Sequence, residues 1–151
     1  MAKEKLDDIS KRIIEQLQED GRRSYSAIAA AVELSEAAVR QRVQRLVEAG
    51  VVQIVAVTDP LQLGFLRQAM VGIKVGGDLT EVADALAAMD EVSYVVIAAG
   101  SFDVLAEVIC RDDDHLLDLL NSRIRRIEGV TGVETFVYLK LRKQTYGWGT
   151  P

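Results

Sequence analysis

Amide and guanidinium side chains recur at helical spacing between residues 36 and 48 of this 151-residue chain. If Val39, Val43 and Leu46 form the inner face of a helix, at 100° per residue, a polar face lies opposite them. That face carries one alanine, two amides and two guanidiniums: Ala37, Arg40, Gln41, Gln44 and Arg45. Arginine pairs with guanine edges, glutamine with adenine edges, and alanine contacts the thymine methyl. The spacing therefore predicts a helix that reads DNA in the major groove.

Recognition helices read bases mainly with their N-terminal residues. We therefore expect base contacts from the first two turns, at Glu36, Ala37, Arg40 and Gln41. Phosphate contacts are expected further along this helix and before the preceding one, and the remaining predicted DNA-contacting residues are Gln44, Arg45, Arg22, Arg23, Ser24 and Ser35. Arg42 points nearer the core edge, where a structural ion pair is an equally good interpretation. The alternative for the whole face is a solvated helix surface with no partner.

Three short helices are predicted to carry these residues within residues 1–50. Ile9, Ile13 and Leu17 form the stripe of the first helix, which Asp7 or Asp8 caps and Asp20-Gly21 ends. Ser24 caps a second helix that buries its apolar side, Tyr25, Ile28, Ala29 and Val32. Ser35 caps the third, which ends at Gly50. A tight break before the third helix predicts a helix-turn-helix of the winged type.

The net charge of −5 does not exclude DNA binding, because a local basic surface is sufficient. Residues 1–60 carry nine Lys/Arg against ten Asp/Glu, so most of the acidic excess lies in the remainder of the chain. Arg40, Arg42 and Arg45 fall within six residues, with no acidic residue between them. The single cysteine fits a reducing compartment, and no membrane segment or secretory signal is visible. We therefore expect a cytoplasmic protein.

The second half alternates between strand and helix patterns. Residues 51–57 form a β-branched run that predicts a strand, and residues 51–67 are interpreted as a strand and hinge linker. Residues 68–143 then predict strand 69–75, helix 79–89, strands 92–99 and 104–110, a helix from Asp112 or Asp113 to Ile127, and strand 130–141. This βαββαβ order predicts a ferredoxin-like domain with both helices on one face of an antiparallel sheet. The overall fold class is α+β.

Catalytic motifs are missing from the sequence. Cys110 lies inside a predicted strand with no histidine placed to activate it, so we interpret it as a small buried hydrophobe. His115 follows three aspartates in the first turn of a helix, where a solvated, dipole-favoured turn is a better interpretation than a metal site. No phosphate loop or zinc spacing is present. We predict no enzyme activity, no cofactor and no metal.

Several ordered segments resemble the leucine-responsive/asparagine regulator (Lrp/AsnC) family. In the first half they are residues 6–9, 13–22, 34–35 and 39–46, followed by 50–52, 59–60 and 63–64. In the second half they are residues 100–103 (Gly-Ser-Phe-Asp) and 127–130 (Ile-Glu-Gly-Val). The resemblance covers nearly the whole chain and depends on the order of the motifs. One departure is Gln53-Ile54-Val55, where the family usually has a glycine followed by an aromatic residue.

The resemblance implies a DNA-binding half joined to a regulatory half that forms homodimers, which often assemble further, up to octamers. It also implies that an amino acid or related metabolite binds between dimers. The effector residues that it implies are Gly100, Ser101, Phe102, Asp103 and Thr135. Asp103 suits an α-ammonium, and free N–H groups near Gly100 and Ser101 suit an α-carboxylate. The alternative is a plain hairpin turn in which Asp103 bonds its own backbone.

The predicted function is a transcription regulator that binds a pseudo-palindromic double-stranded DNA site and responds to a small effector. Two alternatives stay open: a stand-alone metabolite-sensing regulatory subunit, and a non-specific chromosome-compacting protein. The tail, residues 144–151, contains the only tryptophan, Trp148. Two interpretations of the tail stay open: it packs across a subunit interface, or it is a frayed terminus.

Overall fold

The computed structural model describes residues 6–151, whose contacts separate the chain into two units. One unit holds the residues up to Val57 together with the tail, Lys143–Pro151. The other is Thr58–Arg142. Residues 1–5 of the predicted N-terminal domain lie outside the described residues.

Three capped helices form the first unit: α1 (Asp8–Glu19), α2 (Tyr25–Val32) and α3 (Glu36–Glu48). The side chains of Asp7, Ser24 and Ser35 accept hydrogen bonds from the N–H groups of Ser10, Ala27 and Ala38, so each helix starts where a polar side chain satisfies a free amide. Their apolar stripes meet in one core, made of Ile13, Leu17, Ile28, Ala29, Val32, Val39 and Val43. The predicted helix-turn-helix is confirmed.

The turn between α2 and α3 is made by Glu33, whose φ of 60° places it in the left-handed region. Leu34 N–H bonds back to the carbonyl of Ala29 and closes the end of α2. A non-glycine residue at positive φ carries a steric cost, which the packing of both helices must offset. The tight break predicted between the second and third helices is therefore made by one residue, Glu33, in a strained conformation.

The strand predicted at residues 51–57 is wrong for this chain. The N–H groups of Val51 and Val52 bond back to the carbonyl of Leu46 and close the end of α3. The residues that follow lie outside any strand, and Val55 is 69% exposed. A β-branched run makes a strand only where another strand pairs with it, and within residues 6–151 none pairs with this segment.

The second unit begins with a 3-10 turn at Pro60–Leu63 and continues as β1 (Arg67–Val75), α4 (Leu79–Ala87), β2 (Val92–Ile97), β3 (Val104–Cys110), α5 (Asp113–Asp118) and β4 (Val130–Val137). The four strands pair antiparallel in the order β2-β3-β1-β4. This order is the ferredoxin-like arrangement, and the α+β class is confirmed. No helix within residues 6–151 is long and apolar enough to cross a membrane.

Alternation along the strands sets which side of the sheet is covered. Val104, Ala106, Val108 and Cys110 of β3 are all fully buried, whereas the residues between them are not. The buried side packs against the two helical segments through Val82, Leu86, Leu116, Leu119 and Ile124. We call the other side of the sheet the outer face; it holds Gln68, Met70, Gly72, Leu105 and Glu107.

Two predicted elements differ from the structure. The last helix changes pitch after Asp118, through a π turn at Leu119–Arg123 and a 3-10 turn at Ile124–Arg126. Leu116 is buried in this segment, whereas its neighbour Leu117 is 57% exposed. Only leucines three or four apart share one helix face. The last strand stops at Val137 and not at residue 141, because its pairing with β1 ends at Ala69.

Candidate functional site

The outward face of α3 is open in the first unit. Ala37, Arg40, Gln41, Gln44 and Arg45 are exposed, and four of them line a shallow depression of about 530 Å³ together with Ala38. The stripe Val39, Val43 and Leu46 is buried on the other side. Capping by Ser35 and packing of the stripe thus fix the helix, and the guanidinium and amide groups project from it.

Arg40 has two partners on the surface of the unit. Its Nη2 lies 2.7 Å from Oε1 of Glu36, one helical turn earlier. Its guanidinium carbon lies 5.0 Å from the centre of the Tyr25 ring. Two residues predicted to read bases, Glu36 and Arg40, are therefore paired with each other.

Tyr25, predicted as buried core, is only half-buried and meets the predicted base-reading face. Its position as the first residue of α2 explains this, because the side chain of a first-turn residue lies at the end of the helix. An aromatic side chain directly after a helix N-cap, two residues from a pair of arginines, was the signal available in the sequence.

Arg42 forms the structural ion pair that the sequence left open. Its Nη1 lies 2.7 Å from Oδ2 of Asp7 and 3.2 Å from Oγ of Ser10. Hydrogen bonding by Ser10, followed by the Arg42 guanidinium, lowers the pKa of Asp7 to about 2. Arg42 therefore ties α3 to the start of α1.

The predicted phosphate-contacting residues before α2 lie together. Arg22, Arg23 and Ser24 line a depression of about 250 Å³ that Leu17, Gly21, Tyr25 and Ile54 complete. Arg22 is exposed, whereas Arg23 bonds Glu19 at 3.1 Å and Ser24 caps α2. On α3, Gln44 donates to Glu48 at 2.9 Å. Tyr25 links the two surfaces: it lines the depression before α2 and contacts Arg40 of α3.

The turn at residues 100–103 of the second unit is fixed by backbone bonds. Asp103 N–H donates to the carbonyl of Ile73, and Ala98 N–H donates to the carbonyl of Asp103. The Asp103 carboxylate accepts, through Oδ2, the N–H of Val75 at 2.8 Å. The carboxylate thus bonds the backbone of another strand and not its own turn, and Oδ1 accepts no hydrogen bond within residues 6–151. Gly100 and Ser101 are exposed.

Phe102 and Thr135 lie on different sides of the sheet. The Phe102 ring covers Gly72 on the outer face and meets Phe136 edge-on, with ring centres 5.9 Å apart. Thr135 pairs with Val71, whose side chain points to the helices. The structure therefore brings Gly100, Ser101, Phe102 and Asp103 together and does not bring Thr135 to them.

A polar cluster that the sequence did not predict lies on the outer face. Glu107 accepts hydrogen bonds from Gln68 at 3.2 Å, Ser93 at 3.0 Å and Tyr138 at 3.0 Å. Burial, and hydrogen bonding to the Glu107 carboxylate, raises the pKa of Tyr138 to about 12. These residues are far apart in sequence, and only the strand order β2-β3-β1-β4 makes them neighbours.

Comparison with known proteins identifies both units. A model of the AsnC-type helix-turn-helix domain matches residues 6–47. A model described as a C-terminal dimeric alpha+beta barrel domain matches residues 65–151, more than half of the chain. The chain belongs to the Lrp/AsnC family. It is a transcriptional regulator of the AsnC/Lrp type, and its second unit is of a dimeric kind.

Individual relatives agree with the family models. The HTH-type transcriptional regulator FL11 of Pyrococcus furiosus is 36% identical over 142 residues, covering 93% of each chain. The Mycobacterium tuberculosis Leucine response regulatory protein (LrpA) is 30% identical, with a TM-score of 0.82 over 93% of this chain and 100% of that one. A Neisseria meningitidis transcriptional regulator, solved in complex with L-Met, has a TM-score of 0.80 over 97% of both chains. At 24% identity, this last likeness shows the fold alone.

Of the two residues that the sequence offered for chemistry, Cys110 and His115, one is buried and the other is hydrogen-bonded in this Lrp/AsnC regulator. Cys110 is fully buried in β3, as predicted. The solvated helix turn expected at His115 is found for its three aspartates, which are exposed, but not for the imidazole. The His115 side chain is 19% exposed, its Nε2 faces Glu91 at 3.2 Å, and its Nδ1 accepts the N–H of Arg111. Packing of α5 over the sheet buries this imidazole against the loop before β2. Among residues 6–151, no group of His, Cys, Asp and Glu side chains could hold a metal ion.

The tail lies against α1 within the first unit. Gly149 N–H donates to Gln18 at 3.0 Å, Thr150 Oγ1 bonds Glu15, and Lys11 Nζ donates to the carbonyl of Pro151. Positions 11, 15 and 18 share one helix face. Trp148 itself is 80% exposed, so the tail is ordered by backbone and hydroxyl contacts and not by burial of its indole.

Proposed function

We propose that this chain recognises a specific pseudo-palindromic DNA sequence through α3, and that a small amino acid-like effector changes its DNA affinity or assembly. The supporting observation is the open face of α3. Its guanidinium and amide groups project from a helix whose inner stripe is fully packed, and they line an uncovered depression. Such a face offers the donors and acceptors that distinguish base pairs in the major groove.

Base recognition is assigned to Glu36, Ala37, Arg40 and Gln41, which occupy the first two turns of α3. Phosphate contact is assigned to Gln44 and Arg45, which lie further along α3, to Ser35 at its N-cap, and to Arg22, Arg23 and Ser24 before α2. The start of α2, where Ser24 caps the helix, is also the kind of helix N-terminus at which a phosphate oxygen is favoured.

A binding experiment tests the DNA assignment. A preferred duplex is selected from a random pool with the unmodified protein, and affinities for it and for a scrambled duplex are measured by fluorescence anisotropy. Arg40→Ala and Gln41→Ala are expected to weaken specific binding by about 1–3 kcal/mol, whereas Arg22→Ala and Arg45→Ala lower the salt slope by about 1. Arg125→Ala, an exposed arginine of the second unit, is the matched control.

Equal affinity for all duplexes would exclude sequence recognition and favour the chromosome-compacting alternative. Absence of any DNA binding at low salt would favour the metabolite-sensing subunit. Unchanged discrimination in both Arg40→Ala and Gln41→Ala would remove these two residues from the base-reading role.

The effector site is assigned to the turn Gly100–Asp103. In support, the free Oδ1 of Asp103 is an acceptor for an ammonium group, and the exposed amides of Gly100 and Ser101 are donors for a carboxylate. The Neisseria relative of the same fold was solved with L-Met, an α-amino acid. Thr135 lies on the side of the sheet that faces the helices. It can therefore take part in this site only if the ligand reaches around the edge of the sheet.

A thermal-shift screen of the twenty amino acids tests the effector proposal, with Asp103→Asn as the variant. The amide keeps an acceptor for the Val75 N–H and loses the charge that an ammonium needs. A ligand whose shift disappears in Asp103→Asn supports the site; a ligand whose shift persists would place the pocket elsewhere.

Assembly is proposed to proceed from homodimers to larger oligomers, up to an octamer. The outer face supports the dimer, because it exposes Tyr94 and Phe136, 53% and 45% accessible, beside the half-buried Met70 and Leu105. Sedimentation of the protein with and without the ligand found in the screen tests this. A single monomeric species at micromolar concentration would contradict the dimer.

A further inference from the structure

The Tyr25 ring and the Glu36 carboxylate hold Arg40 in different ways. Glu36 takes up a guanidinium N–H in a hydrogen bond of 2.7 Å. The Tyr25 contact, with the guanidinium carbon 5.0 Å from the ring centre, uses the face of the ring and consumes no N–H donor. An arginine held by an aromatic ring therefore keeps its donors available for a base.

The local sequence places the ring. Ser24 caps α2, so Tyr25 is the first helical residue, and part of its ring packs against the core of the helix-turn-helix. The remainder of the ring is accessible on the side where α3 presents Arg40. Tyr25 has few rotatable bonds and is anchored on one side, so its position is better defined than that of Arg40, whose side chain is 61% exposed.

Glu36 and a guanine compete for the same groups. Guanine O6 and N7 accept from two N–H groups of an arginine, and a guanidinium that remains bonded to Glu36 has fewer donors to offer. When DNA displaces the carboxylate, a long exposed side chain would otherwise become free to rotate. The Tyr25 contact does not involve the donors, so the exchange does not require the guanidinium to leave the ring.

The geometry points to Tyr25 as a positioning residue for base recognition: its ring holds the Arg40 guanidinium at the groove-facing side of α3 and so sets the preference for one base pair. This inference rests on the proposed function, since it requires that α3 reads DNA. It assigns to Tyr25 a role in specificity and not in overall affinity.

The test compares Tyr25→Leu with Tyr25→Phe. The preferred duplex is first selected with the unmodified protein, and single base-pair changes across it locate the position read by Arg40, as the one at which Arg40→Ala loses discrimination. At that position Tyr25→Phe is expected to discriminate like the unmodified protein, since the ring remains. Tyr25→Leu is expected to lose discrimination about 3- to 30-fold. Affinity for scrambled DNA and the salt slope should stay unchanged.

A double-mutant cycle shows whether Tyr25 acts through Arg40. In the Arg40→Ala background, Tyr25→Leu should change discrimination at this position no further. Incorporation of pentafluorophenylalanine at position 25 keeps the ring shape and reverses its charge distribution, so it should reproduce the loss even if Tyr25→Leu fails to fold. Circular dichroism melts confirm folding of each variant.

The failures are distinguishable. If the unmodified protein selects no sequence, the proposed function fails, and the role of Tyr25 fails with it. If the protein selects a sequence but Tyr25→Leu and the fluorinated ring discriminate normally, only the role of Tyr25 is overturned. Loss of discrimination at every position, or additivity with Arg40→Ala, would indicate a merely structural residue and also overturns the inference.

Discussion

Asp103 and Val75 are joined by a hydrogen bond of 2.8 Å between the carboxylate Oδ2 of the first and the backbone N–H of the second. The two residues are 28 positions apart, at the start of β3 and the end of β1. The bond satisfies an amide at the point where the sheet register shifts, between Lys74 and Val75. The residue proposed to bind an effector thus also supports the fold.

This double role predicts different outcomes for two substitutions. Asp103→Ala leaves the half-buried Val75 amide without its acceptor and is expected to lower the free energy of unfolding by about 1–3 kcal/mol. Asp103→Asn retains an acceptor and should lose about 1 kcal/mol or less. Urea unfolding followed by circular dichroism measures both. Equal losses would show that the bond does not stabilise the sheet.

Any side chain at Gly72 is expected to lower the stability of the second unit. A Cβ there would lie 2.7 Å from ring atoms of Phe102, and that ring is held by Phe136. We expect Gly72→Ala to destabilise the second unit by about 1–3 kcal/mol, because either the ring or the strand must move.

Gly77→Ala is the control for Gly72→Ala in the same thermal and urea experiments. Its Cβ would meet only Gly129, at an ordinary 3.6 Å. A change of no more than about 0.5 kcal/mol is expected there. A neutral Gly72→Ala would mean that the Phe102 ring is free to leave the outer face.

The lowered pKa of Asp7, caused first by hydrogen bonding from Ser10 and then by the Arg42 guanidinium, predicts a pH-dependent stability of the first unit. The folded chain lowers the pKa of Asp7 from an ordinary value of 3.8 to about 2. A carboxyl group with a lowered pKa stabilises the folded state at pH values above its ordinary pKa, and this contribution is lost as the pH falls from about 4 to 2.

Asp7→Asn isolates that contribution, because asparagine also caps helices but carries no charge. The variant should unfold at a lower temperature than the unmodified protein at pH 6, and the two melting temperatures should converge near pH 2. Arg42→Met should show a smaller pH dependence than the unmodified protein. A constant difference between Asp7→Asn and the unmodified protein at all pH values would contradict the lowered pKa of Asp7.

The tail is expected to stabilise α1. Removal of residues 144–151 deletes three contacts with Lys11, Glu15 and Gln18 and should lower the free energy of unfolding of the first unit by about 1–3 kcal/mol. Gln144→Ala is the matched control, since Gln144 bonds only Tyr146 within the tail. A truncated chain as stable as the full one would show that these contacts are too exposed to contribute.

The sequence alone determined the elements whose signals are local. The caps Ser24 and Ser35 and the apolar stripe of α3 depend on neighbours within one helical turn, and all three are found as predicted. The cap of the first helix, which the sequence left open between Asp7 and Asp8, is Asp7. The polar face of α3 follows from the same periodicity. The βαββαβ order gave the sheet topology, because few arrangements bury both helices on one face.

Tertiary structure alone decided the features that depend on distant partners. Residues 51–57 have strand-forming composition but no partner strand in the described chain, so composition misled. Tyr25 meets Arg40, Asp103 meets Val75 and Glu107 meets Tyr138 only because separate elements pack together. Periodicity tells which side of an element a residue occupies. What that side faces is set by packing, and in this chain packing decides whether a polar residue is free to bind a ligand or already bonded.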